Sequence, residues 1–468
     1  MRYISTRGQS DPLDFEQALL TGLARDGGLF VPEHWPEVDP ATLRSWRGLS
    51  YAELARRVMT PFVAGAFDEV ELGAIVDRAY EAFSHAAVAP LSQSRANEFL
   101  LELYHGPTLA FKDVAMQVLA GCYDRALARR DQRVTLIGAT SGDTGSAAIE
   151  AIRRCERATI FILHPHGRTS EVQRRQMTTV DAPNVYNIAV DGSFDDCQDL
   201  VKAMFVDPAF RDEVNMSGVN SINWARVLPQ VVYYFHAALT LGGPDRAVSF
   251  AVPTGNFGDI YAGYVAAKMG LPVHRLVIAS NINDILTRAL HTGDHALASV
   301  ERTMSPSMDI QVSSNFERLL FDVHDREAGR VRSLMDQLKA DRRFAIDPEA
   351  LERVRRRFDA ERVDEARTLE VMAEVHREAK LLIDPHTAVG VGAARRVQPG
   401  DPAVPMVVLS TAHPAKFPDA VERATGVRPA LPDRLADLYD RPERFDVLPA
   451  DLPAVQQHIR ARLNVPAG

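Results

Sequence analysis

From residue 98 onward, short apolar and β-branched runs alternate with longer amphipathic stretches. The first series of apolar runs is FLLELY, VTLIGAT, ATIFIL and VYNIAV, and a second series contains AVSFAVPT, VHRLVIAS and PMVVLST. Such alternation is typical of βα units, which build parallel sheets. Because parallel sheets bind ligands at the carboxyl ends of their strands, the loops that follow these runs are the first candidates for a functional site.

The first 95 residues have a different pattern and predict a mainly helical amino-terminal domain. A Gly- and Pro-rich stretch at 26–38 predicts a loop between the first two helices of this domain. Three stretches have helical periodicity: 13–25, 50–65 and 68–86.

The two α/β series predict two further domains, one at 96–245 and one at 246–468. Within the last domain, the residues from about 282 to 380 are charged and largely helical in pattern, above all at 348–360 and 364–380. We expect this segment to be an insertion or an outer layer of the domain.

Composition excludes several classes of protein. The formal net charge of −9 argues against a general nucleic-acid binder, which needs Lys and Arg for phosphate contacts. Neither a signal-peptide pattern nor an apolar run of ~18 residues is present in the sequence, so we expect a soluble protein without a membrane partner. The three cysteines form no CxxC pair, which favours a reduced, cytoplasmic setting. His164 and His166 lack further metal ligands, so no metal is expected.

Lys112 occupies a predicted strand–loop–helix junction in ELYHGPTLAFKDVAMQ. The strand is expected to end near His105 and the helix to begin near Asp113, with the apolar residues LAF directly before the lysine. Burial penalises the ammonium form, and a neutral amine reacts with aldehydes. Most lysines lie on the surface, however, so the local sequence taken alone favours a solvated lysine that opens a helix.

Two glycine-containing loops follow predicted strands and precede predicted helices. In VTLIGATSGDTGSAAIEA, Gly142 and Gly145 let the backbone approach a ligand, and the helix start presents N–H groups to a carboxylate or phosphate. An ordinary tight turn with a helix cap explains this loop equally well. In AVPTGNFGDIYAGYVAAK, Gly255 and Gly258 flank a second turn suited to a phosphate. Neither loop has the glycine spacing of a dinucleotide or nucleoside-triphosphate site.

A fourth polar constellation follows the apolar run VVLS. Here Ser410 and Thr411 end the predicted strand, and His413 and Lys416 lie in the loop that follows. A polar strand end without any function is the usual explanation for such a pattern. The chain contains no GxSxG sequence, so serine hydrolase chemistry has no support.

Nine short blocks, taken in order, resemble the threonine synthase family, which belongs to the tryptophan-synthase-β-like, fold type II pyridoxal-phosphate enzymes. The resemblance implies pyridoxal 5'-phosphate as the cofactor, and an α/β fold of two open twisted-sheet lobes plus the helical amino-terminal domain. One small departure is Thr254, which replaces a serine but keeps the hydroxyl. The blocks are YISTRG, DGGLFVPE, HGPTLAFKD, ATSGDTGSAA, SINWARVLPQ, PTGNFGDIYAG, SSNFERLLF, DPHTAVG and STAHPAKF.

The resemblance also implies roles for individual residues. Lys112 matches the lysine that carries the cofactor, and Thr411 matches the hydroxyl residue that faces the pyridine nitrogen. The residues that match the cofactor-binding turn are Gly255, Asn256, Phe257, Gly258 and Asp259. Those that match the loop for the carboxylate end of the substrate are Thr140, Ser141, Gly142, Asp143 and Thr144, with Ser221 and Asn223 near the substrate. The candidates for binding the substrate's own phosphate are Lys416, Arg226 and Ser314. For each of them, a purely structural role is the alternative.

The implied reaction converts O-phospho-L-homoserine and water to L-threonine and phosphate, the last step of threonine biosynthesis. It proceeds by β,γ-elimination and addition of water at Cβ. A threonine or serine dehydratase on the same fold is the alternative among enzymes. A catalytically silent homologue would be expected to lack Lys112 or the GNFGD turn, and both are present. We expect a small-molecule substrate and a monomer or homodimer.

Overall fold

Strands and helices alternate through most of the chain in the computed structural model, which describes residues 1–219, 221–397 and 402–463. Its strands, β1 to β15 in chain order, are Tyr3–Ser5, Phe30–Pro32, Leu91–Arg95, Glu98–Glu102, Val134–Ala139, Ala158–Pro165, Val185–Asp191, Met216–Ser217, Val248–Pro253, Val273–Ser280, Asp294–Ala296, Arg343–Ala345, Phe358–Arg362, Met406–Ser410 and Asp446–Pro449. All seven apolar runs predicted to be strands form strands, namely β4, β5, β6, β7, β9, β10 and β14.

The helices, α1 to α19 in chain order, are Phe15–Thr21, Pro40–Ser45, Tyr51–Val63, Glu69–Glu81, Lys112–Arg130, Asp143–Ile152, Glu171–Thr178, Phe194–Val206, Pro208–Glu213, Trp224–Thr240, Gly258–Lys268, Ile285–Thr292, Phe316–Val323, Ala328–Asp341, Pro348–Arg355, Glu365–Ala379, Pro385–Arg396, Pro418–Thr425 and Leu452–Leu463. Short 3₁₀ turns occupy Pro306–Met308, Pro414–Lys416 and Asp433–Leu435.

The chain divides into two compact units. The first contains residues 1–115 and 221–429, and the second contains the described parts of 116–220 and 430–468. The division into domains at 1–95, 96–245 and 246–468, which rests on the helical and α/β patterns of the sequence, stays a prediction.

A six-stranded sheet forms the centre of the first unit, in the order β13-β10-β9-β14-β4-β3. Its neighbouring strands are parallel, except that β3 pairs antiparallel with β4. Strands β9 and β14 are buried along their whole length, as expected for strands covered on both faces. Side chains of α17 and α16 pack on these strands and complete an apolar core.

The amino-terminal segment is mainly helical, as predicted. The three predicted helices correspond to α1, α3 and α4, and each begins with a side-chain cap, from Asp14, Ser50 and Asp68. The predicted loop at 26–38 needs a correction, because it contains β2, which pairs antiparallel with β1. A three-residue strand between glycines and prolines shows no periodicity of its own, so only its pairing reveals it.

The segment 282–380 also departs in part from its prediction. It is largely helical, but the helix predicted over 348–360 ends at Arg355, and Phe358–Arg362 forms β13 at the edge of the central sheet. Strand β13 alternates buried and half-buried residues over only four positions before the exposed Arg362, which is too short to distinguish from the end of an amphipathic helix. The helix predicted over 364–380 is confirmed as α16.

The second unit is built on a five-stranded parallel sheet in the order β15-β7-β6-β5-β8. Its apolar core joins strand residues such as Phe161 and Ile188 to α8 and α19. The carboxyl-terminal tail therefore supplies both an edge strand and a covering helix to this unit.

No helix in the described part of the chain is both long enough and apolar enough to cross a membrane. Among the same residues, no group of three or more His, Cys, Asp or Glu side chains is arranged to hold a metal ion. Cys122, Cys155 and Cys197 are buried and form no disulfide among the described residues. Burial raises the pKa of Cys122 and of Cys197 to about 12, so both stay protonated and unreactive near neutral pH.

Candidate active site

The loop that leads into Lys112 is hydrogen-bonded to the residues that follow β14. The Phe111 N–H donates to the carbonyl of Thr411 at 2.9 Å, and the His413 N–H donates to the carbonyl of Leu109 at 3.0 Å. Lys112 then begins α5. The fold thus brings Lys112 next to Thr411. Both are predicted site residues, and they are far apart in the sequence.

The turn before this loop is held by two buried charged side chains. The carboxylate of Asp113 accepts hydrogen bonds from the N–H and the hydroxyl of Thr108, at 2.8 and 2.7 Å. A Cβ on Gly106 would lie 2.5 Å from Cβ of Asp113, so only glycine fits there. Lys416 is fully buried and donates from Nζ to the Thr108 carbonyl at 2.8 Å. These contacts give Lys416, a candidate for the substrate phosphate, a structural role in the loop before Lys112.

The half-buried side chain of Lys112 reaches a segment that the sequence did not single out. Its Nζ donates to Oγ of Ser307 at 3.3 Å, and it also lies 5.4 Å from the centre of the Phe111 ring. The Ser307 N–H donates to Nε2 of His386 at 3.2 Å. Ser307 belongs to the segment predicted as an outer layer, and His386 belongs to the DPHTAVG block, to which no role was given. The presence of that block was the sequence signal for His386, whereas Ser307 lies in none of the nine blocks.

Two carbonyl groups of the turn at 255–259 accept hydrogen bonds from the segment at 313–315. Ser313 Oγ donates to the Gly255 carbonyl at 2.7 Å, and the backbone and side-chain N–H groups of Asn315 donate to the Asn256 carbonyl at 3.1 and 2.9 Å. Phe257 takes a left-handed φ of 63° directly before α11. In the described part of the chain, the N–H groups of 255–259 have no acceptor.

Five such N–H groups at the start of a buried helix suit a phosphate, because the helix dipole and the unpaired donors both favour an anion. The backbone at Gly255 is tightly packed, because a Cβ on this residue would lie 2.5 Å from the Ser307 carbonyl oxygen. The residues present therefore fit the phosphate group of the cofactor implied by the sequence.

Asp259 is a buried carboxyl at the end of this turn. Its Oδ1 accepts hydrogen bonds from the hydroxyls of Tyr233 and, at 3.1 Å, Tyr234, while Oδ2 has no partner among the described residues. Burial raises the pKa of Asp259 to about 7, against the lowering effect of the two phenols. Partial protonation limits the repulsion between this carboxyl and a bound phosphate.

Thr411 is buried directly after β14, and its hydroxyl has no hydrogen-bond partner in the described part of the chain. Its neighbour Ser410 is engaged instead, with Oγ 3.0 Å from Oγ1 of Thr387. The Thr411 hydroxyl is therefore available to a polar ligand atom, as expected of the residue that faces a pyridine nitrogen.

The predicted substrate loop, 140–144, lies in the second unit between β5 and α6. Oγ1 of Thr140 accepts the N–H groups of Gly142 and Gly145 at 3.0 and 2.9 Å, and Gln173 donates to Asp143 Oδ1 at 2.8 Å. Gly142 has a φ of 149°, and a Cβ there would lie 2.5 Å from the Gln173 side chain. Within the described residues, the N–H groups of Ser141 and Thr144 have no acceptor. The loop is thus rigid and presents free donors suited to a carboxylate.

Ser221 and Asn223 precede α10 in the first unit. The Asn223 side chain caps α10 through the Ala225 N–H at 3.0 Å and donates to the Leu19 carbonyl at 2.8 Å. The Ser221 carbonyl accepts from Asn315 Nδ2 at 3.2 Å. These contacts are structural, and the role of both residues at the substrate stays a prediction.

Arg318 is a fully buried cation that holds the same region together. Its guanidinium donates to the Phe30 carbonyl at 3.0 and 2.9 Å, to the Ile222 carbonyl at 2.6 Å, and to Oδ1 of Asn315. Burial lowers the pKa of Arg318 to about 10, so it stays charged at neutral pH. Through Asn315, this arginine helps to fix the carbonyl of Asn256. The sequence analysis gave it no role, although it lies in the SSNFERLLF block.

Three family profiles match successive parts of the chain. Residues 2–80 match the amino terminus of threonine synthase, residues 87–337 match the pyridoxal-phosphate-dependent enzymes, and residues 387–459 match the carboxyl-terminal part of threonine synthase. A threonine synthase from Pseudomonas aeruginosa is 55% identical over 465 residues, which cover 99% of each chain.

Solved structures agree with these sequence matches. The crystal structure of pyridoxal-phosphate-bound threonine synthase from Brucella melitensis superposes with a TM-score of 0.97 at 54% identity, covering 99% of this chain and 100% of the other. Threonine synthase from yeast superposes with a TM-score of 0.94 at 41% identity, covering 99% of this chain and 98% of the other.

Proposed function

The chain belongs to the threonine synthase family of pyridoxal-phosphate-dependent lyases, and we propose that its substrate is O-phospho-L-homoserine. In the proposed reaction, water and this substrate give L-threonine and inorganic phosphate. The phosphate leaves from Cγ, and water adds at Cβ. The dehydratase alternative is not favoured, since the matches to threonine synthases extend over the whole chain.

The observation that carries this proposal is the set of groups in the first unit. The Lys112 loop is hydrogen-bonded to Thr411, whose hydroxyl has no partner within the described residues, and the turn at 255–259 has five N–H groups without acceptors there. An amine for the aldehyde, a polar partner for the pyridine nitrogen and a cradle for the phosphate are the contacts by which a protein binds pyridoxal phosphate, and this set of groups can supply all three.

We infer that Lys112 binds the cofactor covalently and that its amine later moves protons at the substrate's Cα. When bound, the cofactor supplies the electron sink for the charge that develops at Cα. Gly255, Asn256, Phe257, Gly258 and Asp259 hold its phosphate. Because Thr411 is a neutral hydroxyl, it accepts or donates a hydrogen bond at the ring nitrogen without fixing a positive charge there, as a carboxylate would.

The loop formed by Thr140, Ser141, Gly142, Asp143 and Thr144 is proposed to orient the substrate's carboxylate. The free N–H groups of Ser141 and Thr144, within the described residues, are suited to this role. Ser221 and Asn223 are proposed to lie near the substrate.

We also propose that the protein is cytoplasmic, because its three cysteines, all within the described residues, are buried and not joined in disulfides. A monomer or homodimer without a nucleic-acid or membrane partner stays a prediction.

The first test supplies purified protein with pyridoxal phosphate and O-phospho-L-homoserine, and quantifies phosphate and threonine together. Equal amounts of both are expected.

Lys112→Ala should lower kcat by roughly 10²–10⁴-fold, the usual contribution of a general acid–base group. Lys339→Ala, which changes an exposed lysine, should have no effect. An oxo acid in place of threonine would indicate a dehydratase, and undiminished turnover by Lys112→Ala would rule out the proposed role of that lysine.

A further inference from the structure

Ser307 lies between two parts of the proposed cofactor site. On one side its hydroxyl accepts the hydrogen bond from Lys112 Nζ at 3.3 Å. On the other side its carbonyl oxygen occupies the space that a Cβ on Gly255 would need, at 2.5 Å. The same residue therefore contacts both the amine and the start of the phosphate turn, although the chain places it in neither motif.

His386 fixes the backbone of Ser307. Its Nε2 accepts the Ser307 N–H at 3.2 Å, so the ring proton of the neutral histidine must lie on Nδ1. Nδ1 in turn lies 2.8 Å from Oδ1 of Asp384, which accepts the hydrogen bond from the Nδ1–H group. Both side chains are buried, with 3% of His386 and none of Asp384 exposed. The histidine is thus held in a single tautomer and orientation.

We propose that Ser307 and His386 are positioning residues for the Lys112 amine. Asp384 orients the His386 ring, and the ring holds the backbone of Ser307. The Ser307 hydroxyl in turn holds Nζ of Lys112 in the position from which it would react with the cofactor aldehyde and would later move a proton of the substrate. This inference rests on the proposed function of Lys112. It predicts that loss of the hydroxyl slows the steps in which Nζ reacts, and leaves the binding of substrate unchanged.

The contacts of His386 distinguish this role from simple packing. A buried histidine that only filled space would need no acceptor at Nε2, and a glutamine or an aliphatic residue would then replace it equally well. If His386 positions Ser307, the acceptor at Nε2 is the feature that matters. Glutamine places a carbonyl oxygen near that position, whereas leucine places a methyl group there.

The test compares Ser307→Ala with Ser307→Thr, which keeps the hydroxyl, and with Ser333→Ala, which changes an exposed serine in α14. Two rates are measured for each variant. The first is covalent capture of pyridoxal phosphate by the cofactor-free protein, trapped with borohydride and located by peptide mass spectrometry. The second is steady-state turnover of O-phospho-L-homoserine by the cofactor-loaded enzyme, with kcat and KM separated. Thermal unfolding of each loaded variant reports whether it folds.

Ser307→Ala should capture the cofactor at Lys112 and turn over substrate roughly 10–100-fold more slowly, because small displacements of a reacting atom have effects of this size. Its KM should stay within about twofold of the original value, since no substrate contact is lost. Ser307→Thr should recover most of both rates, and Ser333→Ala should match the unaltered protein.

The histidine is tested in the same way with His386→Gln and His386→Leu. We expect the glutamine variant to keep most of the capture rate and the leucine variant to lose it roughly as Ser307→Ala does. This pair keeps the inference testable if a serine variant fails to fold. Both substitutions change the same packing site, so a difference between them reports the acceptor at Nε2.

The inference is overturned if Ser307→Ala captures cofactor at the original rate, or if both histidine variants behave alike. A rise in KM at unchanged kcat would also overturn it, because Ser307 would then act on substrate binding. If the unaltered protein carries its trapped cofactor on a lysine other than Lys112, the proposed function of Lys112 fails first, and this inference fails with it.

Discussion

Asp259 is a carboxyl group that the fold buries beside the turn proposed to bind a phosphate. Two phenols donate to one oxygen, and the other oxygen has no partner among the described residues. Burial outweighs the phenols and raises the pKa of Asp259 to about 7. In the unfolded chain the same group titrates near its ordinary pKa of about 4. The folded protein therefore binds one more proton than the unfolded chain between these two values.

The sign of the resulting pH dependence follows from this difference. Because the folded state binds the extra proton, the contribution of Asp259 to the free energy of unfolding falls as pH rises from about 4 to about 7, and then levels off. Asp259→Asn keeps an acceptor for both phenols and cannot ionise. We expect its free energy of unfolding, relative to the original protein, to rise by on the order of 2 kcal/mol between pH 5 and 8.

Urea unfolding across this pH range measures the effect. The exposed Asp440→Asn serves as the control and should change stability equally at each pH. A constant difference between Asp259→Asn and the original protein would show that the carboxyl does not titrate in this range.

The carboxyl-terminal elements β15 and α19 belong to the fold of the second unit. Strand β15 pairs in parallel with β7 at the sheet edge, and α19 buries Val455 and Ile459 completely in the same core as Ile188. By contrast, Val447 in β15 is 50% exposed. A proline-rich, mixed-charge tail gives little sign of this in the sequence, because the strand covers only four residues.

Two valines in these elements allow a matched comparison. Val455→Ala removes two methyl groups from a filled core and should lower the free energy of unfolding by about 2 kcal/mol. Val447→Ala removes the same atoms from an exposed site and should change it by less than about 0.5 kcal/mol. Chemical denaturation of both variants tests this. Equal effects would mean that α19 is not packed on the core of the unit.

The residues proposed for the cofactor and for the substrate carboxylate belong to different compact units. Lys112, Thr411 and the turn at 255–259 lie in the first unit, whereas the loop at 140–144 lies in the second. Each loop presents N–H groups that lack an acceptor within the described residues, and such groups exchange rapidly with solvent until a ligand accepts from them.

Hydrogen exchange followed by mass spectrometry can distinguish the residues that bind pyridoxal phosphate from those that bind O-phospho-L-homoserine. Adding pyridoxal phosphate to the cofactor-free protein should slow exchange in 255–260, by roughly tenfold or more at saturation, because the phosphate supplies acceptors. Further addition of O-phospho-L-homoserine to Lys112→Ala, in which kcat should be roughly 10²–10⁴-fold lower, should protect 140–144. Residues 40–45 in α2 serve as the unaffected reference. Protection of 140–144 alone by the cofactor would contradict these assignments.

Much of the fold could be predicted from the local sequence. The seven predicted strands and the three predicted helices of the amino-terminal segment form as expected, because buried parallel strands and amphipathic helices have periodicities that neighbouring residues carry. Glycine-containing turns could be predicted for a similar reason, because the residues of a turn such as GNFGD themselves favour its backbone conformation. The resemblance of these motifs to a known family supplied their proposed roles, which the residues alone left open.

Other features depend on contacts between distant parts of the chain. Strands β2 and β13 are short, and their partners decide their conformation. Ser307 and His386 are ordinary polar residues in sequence, and only the fold brings one to Lys112 and the other to Ser307. Sequence by itself determined the seven apolar strands, the amphipathic helices and the glycine-containing turns, since those preferences act over a few residues. Tertiary structure alone decided which side chains meet, since burial and hydrogen bonding across hundreds of residues arise only when the sheets assemble.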